Sequence, residues 1–520
     1  MSGSIKTMVF GFALLLAGCG GMKTVKRELI PPQSFQELKK GKLYYIEQSS
    51  PFLKIHMKNG NVYVLRDWQV SDNRQYVNGT GTLFNSNRDV IKTGSFKVGV
   101  DSVAIFETNV IENSGAMTAL TIITGLTAAL TAYGIMNPKA CFGSCPTFYA
   151  SDGDSMRLQA EGFSASIAPS LEATDTDALF HALPKNREIE IRMKNEALET
   201  HVVRQVNLLA VPRYKDKRVF LDTNGRFWQT DSLFPPVSVN APEGNPVDLL
   251  LYADGRERFS RADSTYLGAK EVLQLEFNVL PHKKYGLVIG CRQTLLSTYL
   301  LYQTYAYMGN NVGYWFSRIE QKQIKLGPNS ITNVLGGIEV LIQDSRGRWK
   351  KVGNFNEYGP LAIDFHLLPI GKIKNKKLKI RLKMTKGNWR IDYVALAELL
   401  QSVPAICIQP YVVMNNGVVD EKARSALLDS AKTLVTLPGD IYTLKYHLPA
   451  TPPFGYELFL QSRGYYLEWI RKEWIEEENP MLLAQIFLSP DQALRRLAPQ
   501  FKKVEKKMEY CFWKSRYAKP

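Results

Sequence analysis

The stretch Lys377-Leu378-Lys379-Ile380-Arg381-Leu382-Lys383-Met384 decides how this chain is read. Apolar and basic side chains alternate in it without a break. Successive residues of a strand point to opposite faces, so Leu378, Ile380, Leu382 and Met384 share one face and Lys377, Lys379, Arg381 and Lys383 the other. A helix would mix the two sets, whereas a strand with one buried and one wet face separates them. Working outward, apolar or alternating runs recur at Asp248–Tyr252, Leu273–Phe277, Tyr285–Ile289 and Ile338–Ile342. Strands at this spacing predict a jelly-roll-like β-sandwich over residues 213–400.

The same period continues toward the N-terminus. Met156–Ala160, Glu188–Asn195 and Val202–Val211 predict a small β module over 138–212. Upstream, short runs such as Lys42–Ile46, Phe52–Met57, Val62–Leu65 and Val103–Glu107 flank an Asn59-Gly60 turn, a strong hairpin signal. They predict a small β-barrel over 41–112. The last stretch, 401–520, mixes periods and predicts an α+β region. Ile441–Tyr446 alternates as a strand, and Tyr466–Glu477 suits a short amphipathic helix. Ser489-Pro490-Asp491-Gln492 opens a longer helix with an apolar stripe of Leu494, Leu497, Phe501, Val504, Met508 and Cys511. Lys502, Lys503, Lys506 and Lys507 lie opposite, as a solvated face or a contact for an acidic partner or headgroup. The fold class expected is mainly β and multidomain.

Composition bounds the function. A chain of 520 residues is too long for one core. Its net charge of +16 would suit nucleic acid, but no nucleic-acid module is recognisable, so anionic headgroups or acidic glycans are the expected counterparts. The six histidines, His56, His181, His201, His282, His366 and His447, are scattered singly, and the cysteines lack further thiolates or histidines at metal-ligand spacing. Neither a metal nor a cofactor is expected. Cys141 and Cys145 are close enough to bridge in an oxidising compartment. Cys145 as a nucleophile would need a base and an orienting partner, and beyond His181 no third member is evident.

Gly115 to Met136 is uncharged over 22 residues, long enough to cross a bilayer of roughly 30 Å. Gly125 and Ala129 would let another helix approach closely. Five threonines and sparse flanking charge fit a helix buried against protein as well. An apolar helix over 113–137 is expected, with membrane embedding favoured.

The N-terminus supplies an address. Lys6 precedes an apolar run from Met8 to Leu16, too short to span a membrane but suited to a signal peptide. Leu16-Ala17-Gly18-Cys19 resembles the lipobox of bacterial lipoproteins. The resemblance implies a signal peptide over 1–18, lipid on Cys19, and a polar, basic tether over 19–40 containing Pro31-Pro32. Several acyl chains on one residue anchor stably. Gly20 stands where an Asp would resemble the inner-membrane retention signal, which favours the outer membrane of the cell envelope.

Two weaker resemblances follow. Cys145-Pro146-Thr147-Phe148-Tyr149, the Asp152-Gly153 turn and Thr174-Asp175 resemble a segment of uncharacterised bacterial envelope proteins, from which no functional residue carries over. Gly337–Gly353 with Trp389–Tyr393 resembles galactose-binding-like sandwiches, which implies glycan or protein binding through loops at one end. Trp349, Tyr358 and Trp389 would be core or rim residues, or else an aromatic platform. The expected function is a membrane-anchored, non-enzymatic binding or assembly protein, with a glycan or envelope protein as partner. The alternative is an envelope hydrolase acting on glycan or peptide, for which Asp344, Glu357 and Asp364 would be the first acids to test.

Overall fold

In the computed structural model the Lys377–Thr385 strand buries Leu378, Ile380, Leu382 and Met384 and leaves Lys377 and Lys383 exposed. The structure describes residues 23–514, apart from 31, 38–51, 58–60, 85–89, 114–144, 168–170, 198, 310–329, 357–358, 431, 451–454 and 469–476. The chain divides into two units, residues 1–127 and 128–520.

Within the larger unit, Lys377–Thr385 is the middle strand of a five-stranded sheet, between Lys270–Asn278 and Ile338–Gln343. A six-stranded sheet faces it, with Asp364–Lys372, Lys284–Gln293 and Trp389–Val403 as neighbours. Phe277, Ile289, Val340, Ile380, Leu382 and Ile391 fill the space between them. This is the expected sandwich, with one local difference. Asp248–Tyr252 is not a strand: Val247–Leu249 forms a 3-10 turn that sends only Leu250 into the core. The Asn245 side chain sets the turn, accepting from the backbone N–H of Val239 and of Val247.

The modules expected at 138–212 and 401–520 are not separate. Glu199–Pro212 pairs along its length with Tyr456–Glu468, and Glu188–Lys194 pairs with Ile441–His447. Residues 145–212 and 406–468 therefore build one sandwich of two sheets around Phe148, Ile191, Val206, Leu444 and Leu460. The 213–403 sandwich is inserted into it. The insertion leaves and returns at one place, because Ala210 is paired with Ile406. The helix expected over 466–477 gives way to strand as far as Glu468, since Tyr465 and Tyr466 are buried beside the Glu199–Pro212 partner.

A helical layer completes this unit. Leu296–Met308, inserted in the second sandwich, packs with Pro480–Leu488 and Pro490–Lys514. The last helix starts at Pro490 as expected and buries Leu494, Leu497, Phe501, Val504 and Met508. Lys503, Lys506 and Lys507 are exposed, while Lys502 donates to the Ala262 carbonyl at 2.9 Å. Among the described residues no helix is long and apolar enough to cross a membrane. The 113–137 segment lies outside them, except that Asn113 ends a strand.

The N-terminal unit is a six-stranded antiparallel sheet in the order Lys23–Ile30, Val103–Asn113, Leu53–Met57, Val62–Val70, Tyr76–Phe84, Val90–Gly99. It curls around Leu53, Leu65, Trp68, Val77 and Phe106. Residues expected as tether supply its first strand and the helix Pro32–Glu37, whose Phe35 stacks on Phe106 at 4.0 Å between ring centroids. Polar Lys-Thr-Val-Lys-Arg-Glu reads as linker in sequence, yet as a strand it completes the backbone hydrogen bonds of Val103–Asn113. The pairing path does not join its two ends among the described residues, so the barrel is open.

Two outcomes follow. Ile380→Asp should unfold the second sandwich, because it buries an unpaired charge at a fully buried position. Lys379→Ala should change stability by no more than about 1 kcal/mol, since Lys379 makes only a part-exposed pair with Glu276. Thermal melting reads both, and equal damage would reject the two-faced strand. A chain ending at Val403 should lose the first sandwich, because Glu199–Pro212 then has no partner. Limited proteolysis would show cleavage within 145–212, and protection there would refute the insertion.

Candidate functional site

The two sandwiches meet on an apolar seam. Ala178, Leu209, Val211 and Phe459 of the first pack against Val219, Leu221 and Phe365 of the second. Acids gather beside it. Asp175 and Asp177, two apart on Ala173–Ala178, lie near Glu161 and Asp364, and burial pushes all three first-sandwich carboxyls upward: Asp175 to about 6, Glu161 to about 8, and Asp177 well above its ordinary range. Each of the three is also raised by like charge, after burial itself: Asp175 by Asp364, Glu161 by Asp175, and Asp177 by Asp175, Asp364 and Glu161. Asp364 Oδ1 accepts the backbone N–H of Ala178 at 3.1 Å, and its Oδ2 contacts His366 Nε2. Burial opposes charge on that imidazole, yet the Asp364 carboxylate holds it above its ordinary value. Glu161 Oε2 accepts from the Leu361 backbone at 2.7 Å, stitching the first sandwich to a loop of the second. Gly359, with φ near +84°, passes so close that a Cβ there would stand 2.7 Å from that oxygen.

The Cys-Pro-x-x-Tyr segment is architectural. Burial, followed by the nearby Glu161 and Glu199 charges, pushes the Cys145 thiol well up, the opposite of what a nucleophile needs. Cys145 is a buried free thiol in the described residues. Cys141 itself lies outside the described residues. Thr147 and Tyr149 both donate to Glu196 Oε2, at 2.8 and 2.9 Å. Asp152 accepts the N–H groups of Asp154 and Ser155 in its turn, and Asp175 accepts that of Phe163. The motif thus shapes a turn and a core.

Next to the seam is a cavity of about 210 Å³ with walls from both sandwiches. The first contributes Arg157, Gln159 and His181, the second Glu257, Arg292 and Asp392. Gln159 Oε1 accepts the His181 backbone N–H at 3.0 Å. The His181 ring meets Phe180 and Phe365 edge-on, and burial, with Arg157 and Arg218 nearby, lowers its pKa. Arg292 forks onto Glu257, with Nη2 2.7 Å from Oε2. Asp392 is the residue added by a bulge in Trp389–Val403, where Gly290 pairs with Tyr393 and Cys291 with Ile391. The bulge turns its carboxyl out of the alternating pattern while Ile391 and Val394 stay in the core. Asp392 Oδ1 accepts from Gly255 at 2.7 Å, Oδ2 is buried without a partner, and burial pushes the carboxyl up to about 6.

Of the acids expected for hydrolysis, the two that are described, Asp344 and Asp364, are not brought together. Asp344 sits in an exposed hairpin turn, holding the N–H groups of Arg346 and Arg348. Asp364 is buried in the seam, and Glu357 lies outside the described residues. Trp389 is core, Trp349 carries the Arg381 guanidinium over its ring at 4.0 Å, and Tyr358 and Cys19 lie outside the described residues. Among the described residues no three metal-capable side chains form a site. Asp392 and Arg157 escaped notice in the sequence. The available signal was Ile391-Asp392-Tyr393-Val394, where the apolar spacing slips from two to three.

No protein-family model matches the chain, and no curated protein matches it. Among solved structures it is similar to the secreted serine protease VesC from Vibrio cholerae, at 9% identity and a TM-score of 0.14, over 71% of this chain and 76% of that one. It is also similar to a GH31 α-xylosidase from Xanthomonas citri, at 8% identity and a TM-score of 0.14, over 86% of this chain and 38% of that one. Scores this low carry no argument about fold or activity.

The seam makes stability depend on pH. Asp175, Asp177, Glu161 and His366 all have folded pKa values above their unfolded ones, so their contribution is present at low pH and lost as pH rises through the folded values. With Asp175 near 6 and Glu161 near 8, the melting temperature of the protein should fall between pH 5 and pH 8. Asp177→Asn should flatten that fall and melt higher than wild type at pH 8, by about 2–4 °C per kcal/mol. A lower melting point for the variant at pH 8 would contradict the crowding of carboxylates.

Proposed function

We propose that this chain is a bacterial envelope lipoprotein, anchored through lipid on Cys19, whose β-domains act in binding or assembly near the membrane rather than in catalysis. The observation that carries the reading is Leu16-Ala17-Gly18-Cys19 directly after an apolar run too short to span a bilayer. Gly20 favours the outer membrane, and the 115–136 segment is a second contact with lipid or with protein. The nested sandwiches support a binding role, because ligand sites commonly lie in clefts at domain interfaces. A glycan or another envelope protein is the partner, and nucleic acid is not.

A second reading, an envelope hydrolase acting on glycan or peptide, draws on Asp392, an acid held near 6 on a cleft wall. Turnover of cell-wall fragments that vanishes in Asp392→Asn would favour it over the binding role.

Cys19→Ala should leave an unprocessed precursor that takes up no fatty-acid analogue in metabolic labelling, because the thiol accepts the first lipid. Equal labelling of wild type and variant would remove the lipoprotein reading. Proximity labelling from the anchored protein should mark envelope components; labelling confined to cytosolic proteins would do the same.

A further inference from the structure

We propose that one end of the second sandwich, built by the loops 279–284 and 371–377, is a docking surface for an anionic bilayer, with lysines on the lipid phosphates and Leu280 set among the headgroups. This goes beyond the lipid anchor, because it assigns a membrane contact to residues that the anchor does not involve.

The two loops are joined through their backbones. The Val279 N–H donates to the Lys376 carbonyl at 2.9 Å, and the Ile373 N–H to the Lys283 carbonyl at 3.0 Å. Together they carry Lys283, Lys284, Lys372, Lys374, Lys376 and Lys377 and no acidic residue. All six lysines are exposed. Glu398 holds Lys283, with Oε1 2.5 Å from Nζ, and the other five make no ion pair among the described residues. Lys284 and Lys372 stand directly opposite each other on paired strands, where like charges repel. An anionic surface would relieve that repulsion. The wet face of Lys377–Thr385 has no such surplus beyond the loop, because Lys379 pairs with Glu276 while Lys351 and Lys383 share Glu339.

The apolar residues among the lysines select a bilayer over other polyanions. Leu280 is 52% exposed, and so, at 55%, is Val237, whose N–H bonds the Glu276 carbonyl close by. The outward turn of Leu280 is built in. The hydroxyl of the wholly buried Tyr285 accepts from the Leu280 N–H at 2.9 Å and donates to its carbonyl at 3.0 Å, which clasps the loop from beneath. His282, with φ near +68°, completes the reversal. A nucleic acid or an acidic glycan offers anions but no apolar interior to take a leucine, whereas an apolar side chain ringed by lysines matches the boundary between phosphates and acyl chains. The surface is clear of the seam: Phe365, which packs there, lies seven residues before Lys372 on the same strand, roughly 23 Å away at 3.3 Å per residue.

The test uses the full chain carrying Cys19→Ala, so that no acyl chain masks a weaker contact. Co-sedimentation is measured with vesicles of one part phosphatidylglycerol to two parts phosphatidylcholine, and of phosphatidylcholine alone. The apolar Met8–Leu16 run is common to every variant and cancels between them. Binding to the anionic vesicles should be at least about tenfold tighter, and salt at about 0.5 M should remove the difference. Lys374→Glu with Lys376→Glu should weaken anionic binding at least about tenfold, since each lysine near such a surface is worth about fivefold. Lys503→Glu with Lys506→Glu, the same charge change on the exposed face of the last helix, should weaken it less than about threefold. Leu280→Asn should weaken it several-fold. Lys284→Gln with Lys372→Gln removes a like-charge pair, should not lower the melting temperature, and decides the matter if the first pair does not fold. No preference for anionic vesicles, or equal losses in the two glutamate pairs, would overturn the proposal. Vesicle binding indifferent to Leu280→Asn, with retention on immobilised polyphosphate that follows the lysines, would overturn it in favour of a soluble polyanion. Fatty-acid labelling of Cys19 does not involve these loops. Vesicle preference absent with labelling intact therefore fails this inference alone, and labelling absent with the preference intact fails the lipoprotein reading alone.

Discussion

The pairing of Glu199–Pro212 with Tyr456–Glu468 holds the larger unit together. Each strand is the other's main partner, and the first sandwich cannot close without both. The pairing spans an entire inserted sandwich, and closing so long a loop in a disordered chain would carry a large entropic cost. The insertion lowers that cost by its own shape. Its first and last residues emerge side by side, as the Ala210–Ile406 pair shows, so a folded insertion presents the two halves of the host already close. Cooperation between the sandwiches then follows from chain connectivity as much as from contact.

What joins them is a seam of mixed character. Apolar contacts among Leu209, Val211, Leu221, Phe365 and Phe459 supply attraction. Glu161, Asp175, Asp177 and Asp364 are held beside it at an electrostatic cost, offset partly by backbone donors from Leu361, Phe163 and Ala178. Such polar ties fix the relative placement of the sandwiches more sharply than oily contact would. A cleft with walls from both bodies needs that fixity, because a small shift would reshape it.

The elements were legible one at a time. Lys377–Thr385, Lys270–Asn278, Lys284–Gln293, Ile338–Gln343 and Ile441–His447 all show in the sequence, because burial of one face leaves a period of two. The Pro490 helix shows for the same reason at a period of 3.6, with a proline at its start. Asp248–Tyr252 and Lys23–Ile30 do not fit. The first is apolar but turned by the Asn245 side chain, and the second is polar yet drawn into strand by the open edge of its neighbour. Of the site, His181 was visible only as a lone histidine, and Asp392 not at all, since a bulge reveals itself through its partner strand.

The sequence by itself determined the mainly β class, most strand positions, the apolar stripe of the last helix and the expectation of a lipid anchor at Cys19. All of these rest on patterns within a few residues of one another, where side-chain alternation or a short motif carries the physics. Tertiary structure alone decided that 145–212 and 406–468 form one sandwich, that 213–403 is inserted in it, and that Asp392 and His181 line the same cavity. Strand edges offer the same unpaired N–H and C=O groups to any partner, so the choice among partners depends on how whole faces pack, and no local pattern records it.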